Sequence, residues 1–399
     1  MIPKLKLQQQ FAPQNFVQNV ILRDGNLPTP VPKENIIETI GRMFARLTDA
    51  PILGMASRTF GLPLSKKIFT TIGIVIFAFT VIGLIPNSVF GAGVWRRRAN
   101  MPTPRWSLST AVVNGKIYAI GGLTVNDALS TVEEYNPVTD TWTKKAGMPT
   151  PRGTLSTAVV DGKIYAIGGW DVNAFSTVEE YNPVTDTWTQ KDNMPTKRFA
   201  LSTTVVNGKI YAIGGVGKGN RPLATLEMYD VVTDTWTEKA SMPTPRGHSA
   251  SVVNGKIYAI GGGILKTVEI YDPATDAWTK GADMPTARWA HSTNVVGGKI
   301  YAIGGVTIPQ RNWETVSTVE VYNPKTGRWT KRSDMPTRRG WHAASAVLGK
   351  IYVIGGASKY MPGVWDAVLL STVEEFDTGY AINAKGKLPT LWGEIKRSR

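Results

Sequence analysis

One stretch of sequence, written six times, constrains this chain more than anything else in it. Met-Pro-Thr-x-Arg heads the copies at Met101, Met148, Met194, Met242, Met284 and Met335, and the spacing stays between 42 and 51 residues. A period of that size carrying strand-like runs marks a β-propeller blade, because one small sheet cannot bury both faces until copies stack radially. In the first copy Leu108 to Val113 reads as a strand and Asn114-Gly115 as a tight hairpin turn with positive φ. Lys116 to Ile120 returns as the second strand, apolar from Ile117 onward, as a strand covered on both faces should be. Thr131 to Tyr135 is the third strand, and Thr141 to Lys144, carrying Trp142, the outer fourth.

Three landmarks recur. The glycine pairs are Gly121 and Gly122, Gly168 and Gly169, Gly214 and Gly215, Gly261 and Gly262, Gly304 and Gly305, and Gly355 and Gly356. Tyr135, Tyr181, Tyr229, Tyr271 and Tyr322 follow in the third strands, with Phe376 in the last copy, and Trp142, Trp188, Trp236, Trp278 and Trp329 in the fourth. In this pattern the chain resembles the kelch repeat over all six copies. The resemblance implies an all-β, six-bladed kelch β-propeller whose relatives serve mostly as interaction platforms, with a minority of enzymes.

The sixth copy lacks its Trp strand. Every complete copy places its Trp six residues before the next Met-Pro, and Trp95 stands six before Met101. Val94 to Arg98 is therefore expected to close the last blade, which removes edges that would template aggregation. Trp392 is the weaker rival, since it follows its Leu-Pro-Thr instead of preceding it.

In such a meander the loop before the first strand and the loop between strands two and three leave at the same end. These loops vary most among copies, while Ser130 to Thr143 and Ser176 to Thr189 are identical, so divergence is confined to one face. In kelch adaptors the ligand pocket is lined by residues just after the repeat Arg and just after Gly-Gly; carried over, Trp106, Trp170, Phe199, His248, Trp289 and Trp341 become the candidate ligand-binding face. The longer loops Val306 to Ser317 and Ala357 to Leu370 add Arg311, Trp313, Lys359, Tyr360 and Trp365 as a lip. Aromatic platforms suit sugar rings or apolar peptide side chains, although they also serve as filler between blades. The repeat Arg (Arg105, Arg152, Arg198, Arg246, Arg288, Arg339) and repeat Glu (Glu133, Glu179, Glu227, Glu269, Glu320, Glu374) occur in every copy. A ligand touches blades unequally, so these read as ion pairs inside the blades.

Chemistry is harder to place. The three histidines, His248, His291 and His342, stand at the starts of first strands, and the latter two fall where earlier copies have Leu108, Leu155 and Leu201, a packing position. No Ser-His-Asp or paired-carboxylate set emerges from the repeat background, and no metal or other cofactor is expected. The chain has no cysteine, which removes disulfides, thiolate nucleophiles and zinc-thiolate sites, and also the Cys-linked Tyr of kelch copper oxidases. The expectation is a binding module for protein or glycan; a sugar-processing enzyme resembling the sialic acid mutarotases is the alternative. The net charge of +15 is scattered over the repeats rather than striped with aromatics, which argues against nucleic acid as the partner.

Ahead of the repeats, Ile68 to Ile85 runs for eighteen residues without a charge, after Lys66-Lys67 and before Pro86 and small residues. It reads as a signal peptide cleaved near Ala92 or as a membrane anchor, and either exports the propeller. The organisation expected is an extension over 1–66, mis-started (Met55 would open an ordinary signal) or cytoplasmic, the hydrophobic segment within 67–92, a monomeric propeller over 93–380 and a tail over 381–399.

Overall fold

A computed structural model describes residues 93–308, 313–359 and 368–380. All belong to the unit Pro86–Arg399. They form six four-stranded antiparallel sheets and one short two-stranded hairpin. Blade 1 comprises Ser109–Val113, Lys116–Ile120, Val132–Asn136 and Thr141–Lys145, innermost strand first, and blades 2 to 5 repeat the order from Ser156, Ser202, Ser249 and Ser292. Blade 6 takes Ala343–Val347, Lys350–Ile354 and Val373–Asp377 from its own copy, and its outermost strand is Val94–Arg98. Trp95 lies opposite Phe376 and Arg97 opposite Glu374, the register that sets Trp142 opposite Tyr135 and Lys144 opposite Glu133 in blade 1.

Burial explains the strand sequences. The second strand of blade 1 is buried from Ile117 to Ile120, while its outer strand buries Trp142 partly and exposes its neighbours. Side chains from each pair of adjacent blades interlock into one apolar cluster; Met101, Leu108, Ile117 and Tyr135 of blade 1, for example, pack with Ala343, Tyr352, Ile354 and Val373 of blade 6. The first strand begins at Ser109 rather than Leu108, because Leu108 has already turned into the packing around the axis.

The glycine pairs sit where blades touch. Gly121 and Gly122 have φ of +60° and +110°, and a Cβ on Gly121 would lie 2.5 Å from the Arg152 carbonyl. The second glycine donates to the repeat-Arg carbonyl of the next blade, from Gly122 to Arg152 through to Gly356 to Arg105, which completes the circle. Each repeat Arg is almost wholly buried and pairs with the repeat Glu of its own blade, as in Arg152–Glu179 at 2.9 Å and Arg198–Glu227 at 2.6 Å. Burial pulls the Arg198 guanidinium down to about 10, against the charge of Glu227, which favours the proton.

The outer Trp clamps neighbouring blades. Trp142 packs on Tyr135 at 5.0 Å and donates its Nε1 hydrogen to the Ala99 carbonyl at 3.0 Å. Trp95 makes the same pair of contacts, with Phe376 at 4.8 Å and the Ser333 carbonyl at 3.1 Å. Among the described residues no helix is long and apolar enough to cross a membrane. The extension 1–66, the apolar run at 68–85 and the tail with Trp392 lie outside the described residues.

Candidate functional site

The loops before the first strands and after the glycine pairs meet at one end of the propeller. In five blades the residue after the repeat Arg forms a single antiparallel bridge with the residue after Gly-Gly: Trp106 with Leu123, Gly153 with Trp170, Phe199 with Val216, Trp289 with Val306 and Gly340 with Ala357. The two sets of residues picked out from the repeat are thus each other's partners. The next residue adopts positive φ at Ser107, Thr154, Ala200, Ala290 and Trp341, which swings the chain toward the axis. Its backbone then bonds to its counterpart in the neighbouring blade. The N–H groups of Trp341, Ser107, Thr154 and Ala200 donate to the carbonyls of Ala290, Trp341, Ser107 and Thr154 in turn, at 2.7 to 2.9 Å.

Blade 4 breaks this pattern. Two residues, Gly247 and His248, separate its Arg from its first strand, where the other blades have three. His248 consequently occupies the slot of Leu108, Leu155, Leu201, His291 and His342, not that of Trp341, with which the sequence aligned it. Each of these six side chains packs against the first glycine of the pair in the preceding blade, Leu155 on Gly121 and His248 on Gly214 among them. Half of the ring is leucine and the consecutive other half histidine.

Below this ring the inner strands are stitched by hydroxyls. Ser109 meets Thr157, Ser156 meets Thr203 and Ser249 meets Thr293 at 2.8 to 2.9 Å. Where the next blade carries alanine in place of that threonine, the serine finds another acceptor. Ser202 donates to the His248 carbonyl across from Ala250, and Ser292 pairs with His342 Nε2 at 3.0 Å across from Ala344. This girdle was not anticipated, although the serine and threonine at the head of each inner strand carried the signal.

Above the ring lies a cavity of about 460 Å³. Phe199, Trp289, Trp341 and the three histidines line it, with Val216, Pro222, Pro245 and Leu265 on the side of blades 3 and 4. Trp341 stands edge-on to Trp106 at 5.3 Å and to Trp289 at 5.1 Å, and Trp289 to Trp313 at 5.2 Å, so the two indoles that line the cavity, Trp289 and Trp341, sit within a chain of four. Trp170 and Phe199 pair separately at 6.4 Å; Trp106 and Trp170 do not line the cavity. Thr315 donates to the Ser358 carbonyl at 2.6 Å, which ties the described part of the blade 5 loop to that of blade 6. Arg311, Tyr360 and Trp365 lie outside the described residues.

The cavity is poor in charge. Among the described residues no carboxylate lines it, and Arg246 is held by Glu269 at 2.5 Å. Burial, reinforced by Arg246, depresses His248 to about 3; burial and Arg339 bring His342 to about 3, and burial with Arg288 lowers His291 well below its ordinary value. All three imidazoles are therefore neutral at pH 7. Among the described residues no group of three or more His, Asp or Glu is arranged to hold a metal ion.

A radial ring of four-stranded blades with paired glycines and clamping tryptophans defines a repeat propeller with its variable residues at one mouth of the axis. The kelch motif matches residues 105–149, 151–195 and 288–336, and the KLHDC2/KLHL20/DRC7 kelch-repeats domain matches residues 189–305. The chain belongs to the kelch-repeat family. The solved structure of YjhT is similar over 69% of this chain and 95% of its own, with a TM-score of 0.59 at 18% identity, a likeness of fold. Comparison with curated proteins gives no match.

Proposed function

We propose that this kelch propeller is a binding module that seats part of a protein or glycan partner in the axial cavity of its loop face. The observation that carries the reading is the character of that cavity: the indoles of Trp289 and Trp341, an apolar flank, neutral imidazoles at the base and, among the described residues, no carboxylate. Such a lining recognises apolar and uncharged hydrogen-bonding groups. The test is a peptide-library and glycan-array screen with the full chain, repeated with Trp341→Ala and Trp289→Ala. Ligands should bind the parent and lose at least tenfold in affinity with either variant; ligands indifferent to both would place recognition elsewhere.

The alternative, a sugar-processing enzyme on the same scaffold, requires a proton donor or acceptor in the cavity, and the three histidines are the candidates there. Turnover of a sugar by the full chain, abolished by His291→Leu, would replace the binding reading. We further propose that the apolar run at 68–85 brings a monomeric propeller to or across a membrane, and that Val94–Arg98 keeps the ring closed. N-terminal sequencing of the mature chain after fractionation, with sizing of the product, tests the first proposal. A chain that stays whole and in the cytosol would refute export.

A further inference from the structure

The backbone rosette around the axis lacks one member. Four head-to-tail bonds run from Ala290 through Trp341, Ser107 and Thr154 to Ala200, and the circle stops on either side of blade 4. The residue that would complete it is the one blade 4 omits between Arg246 and Ser249. Two main-chain groups are left over at the gap, the Ala200 carbonyl and the Ala290 N–H, and neither has a hydrogen-bond partner among the described residues. Both residues line the cavity.

Three further features keep the gap open. Blade 4 has no bridge like those of the other blades between the residues after Arg and after Gly-Gly, so among the described residues the backbones of Gly247 and Gly263 also lack partners. Its loop between strands two and three is the shortest, the seven residues Gly261–Thr267, against fifteen in Gly304–Thr318 and eighteen in Gly355–Thr372. The shortened Arg loop sits so low that a Cβ on Gly262 would lie 1.9 Å from the Gly247 carbonyl, which reserves that position for glycine. The flank beside the gap, Val216, Pro222, Pro245 and Leu265, is apolar.

We propose that the ligand completes the rosette with a secondary amide, its N–H donating to the Ala200 carbonyl and its C=O accepting from the Ala290 N–H, while an adjoining apolar group rests on the Pro222–Leu265 flank. A secondary amide offers one donor and one acceptor pointing in opposite directions, as the absent residue would have done. The proposal rests on the cavity being the binding site and names the chemistry it selects. Peptide main chain and the acetamido group of a sugar are the two sources of that chemistry.

The test compares probes with and without the amide N–H on the full chain. N-methyl-4-methylpentanamide, which carries a single secondary amide, is set against methyl 4-methylpentanoate, in which an ester oxygen replaces that N–H, and N-acetylglucosamine against glucose, by ligand-observed NMR and titration. In at least one pair the amide is expected to bind at least tenfold tighter, the magnitude of one well-placed hydrogen bond, and the winning pair identifies the source. An alanine inserted between Gly247 and His248 restores the count of the other blades; it should abolish the preference while leaving the thermal transition in place. If the insertion prevents folding, Leu265→Gln serves instead and should weaken the amide probe at least fivefold. Probes that bind in the cavity with no amide preference, or equally well after the insertion, would overturn this inference and leave the binding reading standing. No binding of any probe or library ligand would overturn both.

Discussion

The half-ring of histidines should make this propeller acid-labile in a pH window where its carboxylates are silent. In the folded chain His248 and His342 stay neutral down to about pH 3, and His291 is likewise held well below its ordinary value. In the unfolded chain each takes up a proton near pH 6.5. Below that value the unfolded state binds more protons, so stability falls with falling pH by about 1.4 kcal/mol per pH unit for each histidine. Together the three approach about 4 kcal/mol per unit, or about 6 kcal/mol between pH 8 and 5, comparable to the whole net stability of an ordinary domain. The depressed carboxylates do not blur the window. Asp186 and Asp276 are lowered chiefly by hydrogen bonds from Tyr181 and Tyr271, so their contribution is intact above about pH 4 and is lost only as pH falls through the folded values. The perturbation is His248→Leu, His291→Leu and His342→Leu together, which gives blades 4 to 6 the side chain that blades 1 to 3 already use. Urea unfolding of parent and triple variant from pH 8 to 5 should show a steep fall for the parent and a nearly level line for the variant. Parallel lines would refute the argument.

Other consequences follow from the scaffold. Trp95→Ala and Trp188→Ala remove equivalent clamps and should each cost about 2–3 kcal/mol in urea unfolding; a Trp95 variant that loses under 1 kcal/mol would mean that the N-terminal strand does not close the ring as the other outer strands do. Arg198→Met should cost about 3–5 kcal/mol by stranding Glu227, and Arg198→Met with Glu227→Leu should recover most of it; a double variant as unstable as the single would show that packing, not the lone charge, is at fault. Ile264 is a β-branched residue at φ +67°, so Ile264→Gly should raise stability by about 1 kcal/mol by removing left-handed strain; calorimetry showing a loss would indicate contacts that outweigh it.

Much of the scaffold could be read from repetition, because six copies report the same packing demand independently. A strand apolar on both faces, a glycine pair, a Tyr facing a Trp and a buried Arg each recur, and the missing sixth Trp pointed to Val94–Arg98. The site was less legible because it is built from differences among copies. Trp106, Trp289 and Trp341 do come together, but counting from the repeat Arg put His248 one position out of line. The deletion that shifts it shows only when the first strands are aligned instead, with Ser249 under Ser109. The rosette is a backbone feature, and no side-chain pattern announces it.

The same comparison separates histidines that the girdle uses from one that it does not. His248 and His342 belong to blades whose inner strand has Ala250 or Ala344 in place of threonine, and there the neighbouring serine turns to the His248 carbonyl or the His342 ring. His291 precedes Thr293, which already serves Ser249 and Ser251. Among the described residues neither ring nitrogen has a partner of good hydrogen-bond geometry, the Ile260 backbone offering at most a poor one. Burying an imidazole so poorly paired costs about 1–3 kcal/mol relative to leucine of similar shape. His291→Leu alone should therefore leave stability at pH 7 unchanged or improve it. His342→Leu, by leaving Ser292 without its acceptor, should lower it by about 1 kcal/mol. On the proposed binding reading His291 faces the ligand from the floor of the cavity, and so a ligand found by screening should lose affinity on His291→Leu while the fold gains; unchanged affinity would limit His291 to packing.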